Sequence, residues 1–352
     1  MKVLITTLLL LGFSYISHAL GSEEWFGRLR GPYPILSVPY HDDGSVDYDV
    51  LVSEAEFVAD CGAPGFIWAQ SNDAIDLLSL EERMKGAQVL VEAFQGRSTV
   101  VVLDCQGRDL SDMETLAEHV EILAKRCPSA VIAIACRPPH NARTQEDLRI
   151  CYERLASIVR RPVIIQTYTT DRVPVPKSEL LIELAARHPD IYGWVKEESG
   201  GADGNERMRK ECAAPEIKTV FGAWGSYGWL DQYYNYGTRG LISERAAYAD
   251  YLMRIWRAME AGRDREVVND LWARYLLMMN LKETIPGGHL RGFNLYVLKK
   301  RGIFKNYLSR EPVAKDDVSG KWRLVDRSFS ASEIAEIEER YSYLKKGHGN
   351  ER

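Results

Sequence analysis

Eight short apolar runs punctuate the 352-residue chain between Tyr33 and Glu244, and amphipathic stretches separate most of them. The runs are YPILSVPY, PGFIWAQS, STVVVLDC, AVIAIAC, RPVIIQTY, IYGWVKEE, IKTVFGAWG and TRGLISE. They are rich in Val and Ile and mostly do not alternate with polar residues, the pattern of parallel strands covered on both faces. Between them, apolar positions recur at helical spacing. In SLEERMKGAQVLVEAF, Ser79 and Glu82 form a capping box, and Met84, Ala87, Leu90, Val91 and Phe94 share one face. DMETLAEHVEILAKR, EDLRICYERLASIV and KSELLIELAARH repeat the pattern. Strand-then-helix units at this count predict an α/β chain folded as a (β/α)8 TIM barrel. A doubly wound open sheet is the competing arrangement, which periodicity alone does not exclude. From about Lys282 the alternation stops. PGG breaks the chain, and LRGFNLYVLKKRGI and SASEIAEIEERYSYLKK read as helices. The predicted division is a leader at 1–19, a barrel at 20–281 and a helical C-terminal extension at 282–352.

The leader has the form of a secretory signal: Lys2, an apolar centre from Val3 to Phe13, and a small-x-small site at Ser17-His18-Ala19. Cleavage after Ala19 and a secreted or periplasmic location are the expectation. The apolar centre falls short of the ~20 residues a span needs, and no other stretch is long enough, so no stable membrane span is expected. At 45% hydrophobic and 27% charged residues the chain is of globular composition. Its net charge of -5, with no basic block, argues against a nucleic-acid partner. The six cysteines, Cys61, Cys105, Cys127, Cys136, Cys151 and Cys212, form no CxxC pair and so no zinc ribbon or thioredoxin motif. In an exported chain some pair, and Cys105 with Cys136, at the ends of neighbouring strands, is the candidate.

Barrel enzymes place their chemistry at the C-terminal ends of the strands. Those ends carry Pro39 and Tyr40; Gln70, Ser71 and Asn72; Asp104, Cys105 and Gln106; Cys136 and Arg137; Gln166, Thr167 and Tyr168; Lys196, Glu197 and Glu198; Gly222 and Trp224; Ser243 and Glu244. The one lysine in this ring is Lys196, in GWVKEES. A strand-end lysine is ordinarily a solvated side chain with its stem on apolar surface. Held in a dry pocket it is a nucleophile for carbonyl carbon.

Ordered fragments decide between these readings. SVPYHDDGSVDYDVL, SLEER, GWVKEES, Gly222 and GLIS resemble, in sequence and in order, the dihydrodipicolinate synthase and N-acetylneuraminate lyase family. The resemblance runs from about Gly31 to Leu281, with a weaker echo to about Leu344. It implies a lyase or aldolase of the class I type: Lys196 condenses with the ketone of a 2-oxo acid or sugar acid, and the resulting imine serves as an electron sink. It calls for no cofactor and no metal. A homo-oligomer is compatible with it.

The departures lie at the site. The family's Gly-Thr-Thr-Gly-Glu-like loop after strand two, which binds the substrate carboxylate, is matched by Gln70, Ser71, Asn72, Asp73 and Ala74. Ser71 and Asn72 are the carboxylate-binding candidates, through backbone N–H groups. The family's strand-five tyrosine is matched by Gln166, an amide that cannot act as an acid or base. Tyr168, two residues on and on the same strand face, is its candidate substitute, and Arg172 that of a displaced arginine. Where the family often has Pro-Tyr-Tyr after strand four, one tyrosine of which reaches a neighbouring subunit, this chain has Pro138, Pro139 and His140. His140 is a second candidate for proton transfer. Ile242 is expected to line the substrate site. These changes also suit a secreted barrel that has lost catalysis and binds a small polar ligand.

Rival chemistries fit less well. A glycosidase needs paired carboxylates, and strands four and seven, common hosts of such a pair, offer none. A metal hydrolase needs clustered histidines, and of the seven only His140 is near the mouth. AWGSYG around Ser226 lacks the spacing of a nucleophile elbow.

Overall fold

The structure, a computed structural model, describes residues 27–70, 73, 75–168, 173–223, 225–285, 292–313 and 320–345. The expected leader therefore lies outside the described residues, as do Ser71, Asn72 and Arg172.

Eight parallel strands form the predicted barrel: β1 (Gly31–Pro32), β2 (Gly65–Trp68), β3 (Val100–Asp104), β4 (Val131–Cys136), β5 (Val163–Gln166), β6 (Trp194–Glu197), β7 (Thr219–Gly222) and β8 (Gly240–Leu241). They pair in the order β1-β8-β7-β6-β5-β4-β3-β2. The seam between β1 and β2 is closed by a parallel bridge, Ile35 to Ile67, with Leu36 N–H donating to the Ile67 carbonyl at 3.0 Å. The open-sheet alternative is thereby excluded. Helices α1 (Tyr48–Asp60), α2 (Leu80–Ala93), α3 (Leu110–Arg126), α4 (Gln145–Ile158), α5 (Ser178–Arg187), α6 (Gly201–Ala213) and α7 (Ala249–Glu260) pack outside. The Ser79/Glu82 capping box forms as predicted, and Thr144 with Asp147 makes a second.

Strand parity separates two cores. Val101, Leu103, Ile132, Ile134, Ile165 and Val195 face the helices. Tyr33, Ile35, Ile67, Val100, Val102, Ala133, Ala135, Ile164, Trp194, Phe221 and Ile242 fill the barrel. Large rings are housed opposite glycines: a Cβ on Gly65 would stand 2.4 Å from the Tyr33 ring, and one on Gly240 2.3 Å from that of Phe221. The two rings meet edge to face at 5.7 Å.

Beyond the barrel come α8 (Arg265–Met279), α9 (Gly292–Lys300) and α10 (Ala331–Lys345), helical as expected. Between α9 and α10 the chain forms an antiparallel hairpin that the sequence reading did not foresee, β9 (Leu308–Pro312) with β10 (Trp322–Asp326). Arg310 on β9 is buried, and its guanidinium donates to the carbonyls of Gly44 (2.9 Å) and Leu77 (2.8 Å) and to Glu82 (2.6 Å). The Trp322 and Tyr40 rings lie 4.0 and 4.9 Å from it. The hairpin is thus a strap across the loops that follow β1 and β2. All six cysteines are free, so the expected Cys105–Cys136 disulfide is absent. The Cys136 thiol instead rests 3.8 Å from the Cys105 carbonyl. Among the described residues no helix is long and apolar enough to cross a membrane.

Candidate active site

The parity that fills the barrel also builds its mouth. Asp104, Arg137, Gln166 and Lys196 each follow, by two residues, an interior apolar residue: Val102, Ala135, Ile164 and Trp194. Side chains two apart on a strand share a face, so four consecutive strands set a polar layer on the apolar interior. All four residues are buried.

Lys196 is 2% exposed. Its Nζ lies 3.0 Å from Glu198 Oε1 and donates to Gln166 Oε1 at 3.4 Å. A buried ammonium is costly unless paired, and Glu198 is the pair. Burial holds the Glu198 carboxyl above the usual carboxylate range, and Lys196 partly opposes the shift. Its Oε2 is buried without a hydrogen-bond partner among the described residues. The neighbouring Glu197 faces away from Lys196. Its oxygens accept from Thr167 Oγ1 (3.1 Å), Ser199 N (2.6 Å) and Arg207 Nε (3.2 Å), and Arg207 also pairs with Glu211. A cavity of about 430 Å³ opens on that side, lined by Glu197, Ser199, Asn205, Met208 and Gln232 among others.

Arg137 is the second buried cation of the layer. Its Nη2 donates to His140 Nε2 at 2.8 Å, its nearest carboxylate oxygen is Asp76 Oδ1 at 3.6 Å, and the Tyr168 ring centre lies 5.6 Å away. Its Nε finds no partner among the described residues. Half-buried His140 is held below the usual histidine range by burial and then by Arg137, so its Nε2 serves as an acceptor. Asp104 pairs with Arg83; burial lifts its carboxyl to about 6 against the pull of that guanidinium. Tyr168, whose ring stands beside Arg137, is partly exposed. Ile242 is fully buried in the interior core, beneath the polar layer.

The structure therefore gathers Lys196, Gln166, His140 and Tyr168 at one end of the barrel. Ser71 and Asn72 are flanked by two described anchors. Gln70 is buried, and Asp73 accepts from Val38 N–H at 2.7 Å and pairs with Arg245 at 3.4 Å. Ala69, at the end of β2, has φ +59, a left-handed conformation that costs a non-glycine residue about 1–2 kcal/mol. Sequence reasoning missed Glu198 as the lysine's partner and Arg83 as the partner of Asp104. The signal for Glu198 was its spacing of two from Lys196. Arg83, on a helix, offered none. Among the described residues no cluster of His, Cys, Asp and Glu is arranged to hold a metal.

Buried amine, adjacent carboxyl and orphaned polar atoms thus stand together at the barrel mouth. Residues 28–326 match the dihydrodipicolinate synthetase family. A 4-hydroxy-tetrahydrodipicolinate synthase of Rhizobium meliloti is 28% identical over 183 residues, 52% of this chain and 60% of the relative. The chain thus spans about 60% of that relative's length. A dihydrodipicolinate synthase structure from Rhodopseudomonas palustris superposes with a TM-score of 0.70 at 19% identity, covering 90% of this chain and 98% of the other. An N-acetylneuraminate lyase from Aliivibrio salmonicida does so at 0.69 and 15%, covering 90% and 97%.

Proposed function

Because the chain belongs to the dihydrodipicolinate synthetase family, we propose that it is a Schiff-base-forming lyase of the class I aldolase type. It acts on a 2-oxo acid or sugar acid through Lys196. The observation that carries this reading is the seat of Lys196 Nζ, buried at the end of β6 and 3.0 Å from Glu198.

Nζ bonds to the ketone carbon of the substrate. The carbonyl oxygen then leaves as water, taking two protons that begin on the ammonium. Glu198 carries them from nitrogen to oxygen, a task for which a carboxyl raised above its usual range is suited. The protonated imine that remains draws electrons from the adjacent carbon when a C–C bond or C–H bond breaks. Gln166 orients Nζ and moves no proton. Tyr168 or His140 serves the far side of the substrate, and Ser71 and Asn72 receive the carboxylate, with Arg172 as a further cationic contact. Ile242 is part of the apolar floor. The test is borohydride reduction of the protein with a panel of 2-oxo acids, followed by peptide mass mapping. The reading expects a reduced adduct on the Lys196 peptide. No adduct from any member of the panel refutes it.

Gln166, in the place of the family's tyrosine, favours one other reading, a barrel that binds a small polar ligand without turnover. Unchanged ligand affinity in Lys196→Ala would establish it. Export by the leader is part of the proposal, and N-terminal sequencing that finds Met1 or Lys2 on the mature protein would remove it.

A further inference from the structure

On the outer layer of the molecule, away from Lys196, helices α1, α7, α9 and α10 enclose a cavity of about 480 Å³. Four cationic side chains line it, Arg254, Lys300, Arg301 and Lys345, against a single lining carboxylate, Asp250. This is a local excess of positive charge on a chain whose net charge is -5. The cations crowd one ring: Lys345, Arg301 and Lys300 stand 5.0, 5.5 and 5.9 Å from the centre of Tyr341. Arg301 also lies 5.1 Å from the Phe57 ring, and its Nη2 donates to Asp250 at 2.9 and 3.1 Å. Lys300 is engaged by Glu338 at 2.7 Å. Asp250 thus answers Arg301, and Glu338 answers Lys300. Lys345 has no ion-pair partner among the described residues, and Arg301 Nε is buried without a hydrogen-bond acceptor among them.

Like charges held within a Debye length of ~8 Å repel one another. An arginine fork beside lysines is the arrangement that recognises phosphate and carboxylate oxygens. The volume suits a small molecule. We propose that this cavity binds a small multivalent anion, bearing phosphate or carboxylate groups, which ties the C-terminal helix α10 to α7. Arg254 Nη1 already donates to the Leu344 carbonyl at 3.1 Å across the same gap, so the anion would reinforce an existing junction. The site stands independently of the Schiff-base chemistry.

The test is isothermal titration of the full chain with inorganic pyrophosphate and, in a second arm, citrate, with acetate at matched ionic strength as control. Saturable binding of either multivalent anion at one per chain is expected, weakened about tenfold or more in Lys345→Gln or Arg301→Lys. The arm that binds shows whether phosphate or carboxylate is recognised. Lys345 is exposed, so its variant keeps the fold of the parent. No saturable binding in either arm, an equal response to acetate, or unchanged affinity in both variants overturns the proposal.

Discussion

Glu197 and Glu198 are neighbours in the chain and do opposite work. Strand parity sends Glu197 outward to Thr167, Ser199 and Arg207, and Glu198 inward to Lys196. The first is fully engaged; the second keeps one oxygen without a partner among the described residues. Replacing Glu198 by Gln retains the shape and removes the proton carrier. Turnover should fall by roughly 10²–10⁴, the worth of a general acid or base, and the imine that borohydride traps on Lys196 should form correspondingly more slowly. The pH–rate profile should lose the limb that reports this carboxyl. Full activity in Glu198→Gln would assign proton transfer elsewhere. Lys196→Ala should abolish both turnover and trapping and leave the circular dichroism spectrum unchanged. Burial already holds the Glu198 carboxyl above its usual range, and loss of the ammonium that opposes this shift lets the carboxyl take up a proton rather than stay buried as an unpaired charge.

Among the elements, the strands were legible because their apolar runs are continuous, and the helices because SLEER and similar stretches carry their own caps. Lys196 was legible as the one lysine at a strand end. Gln166 marked the departure at β5, and Tyr168 followed from period-two geometry. The hairpin of β9 and β10 was not legible. Its two strands are five residues each, only partly buried, and held largely by Arg310, whose partners Gly44, Leu77 and Glu82 lie far back in the chain. No local pattern encodes such a contact. Arg310→Ala would leave two backbone carbonyls and a carboxylate without their donor, so a loss of roughly 2–4 kcal/mol is expected in urea unfolding. Proteolysis of the variant should begin in the hairpin while the barrel strands stay protected. A change in stability too small to measure would mean that the strap is held by contacts other than those of Arg310.

Several acids are buried among the described residues, and these bear on how the stability of the whole molecule responds to pH. Glu54 is fully buried, and both its oxygens accept from Ser37 N–H, at 3.1 and 3.0 Å. Burial pushes its carboxyl well above the ordinary range. Because the folded state then holds a proton that the unfolded state releases near pH ~4.3, stability falls as pH rises above that point. The slope is at most ~1.4 kcal/mol per pH unit for one proton. Glu54→Gln removes this titration, and its Tm between pH 5 and 7 should decline less steeply than that of the parent; parallel curves would show that Glu54 is ionised in the fold. The strap also bears on the order in which the molecule is completed. Gly44 and Arg310 are separated by 266 residues, which a ribosome takes on the order of 10–50 s to synthesise. Throughout that interval the loop after β1 is made but not fastened, and the eighth strand arrives before the fastening does. The entrance to the barrel is therefore secured last, and a nascent chain halted just before Leu308 would hold every strand of the barrel around an unclasped rim.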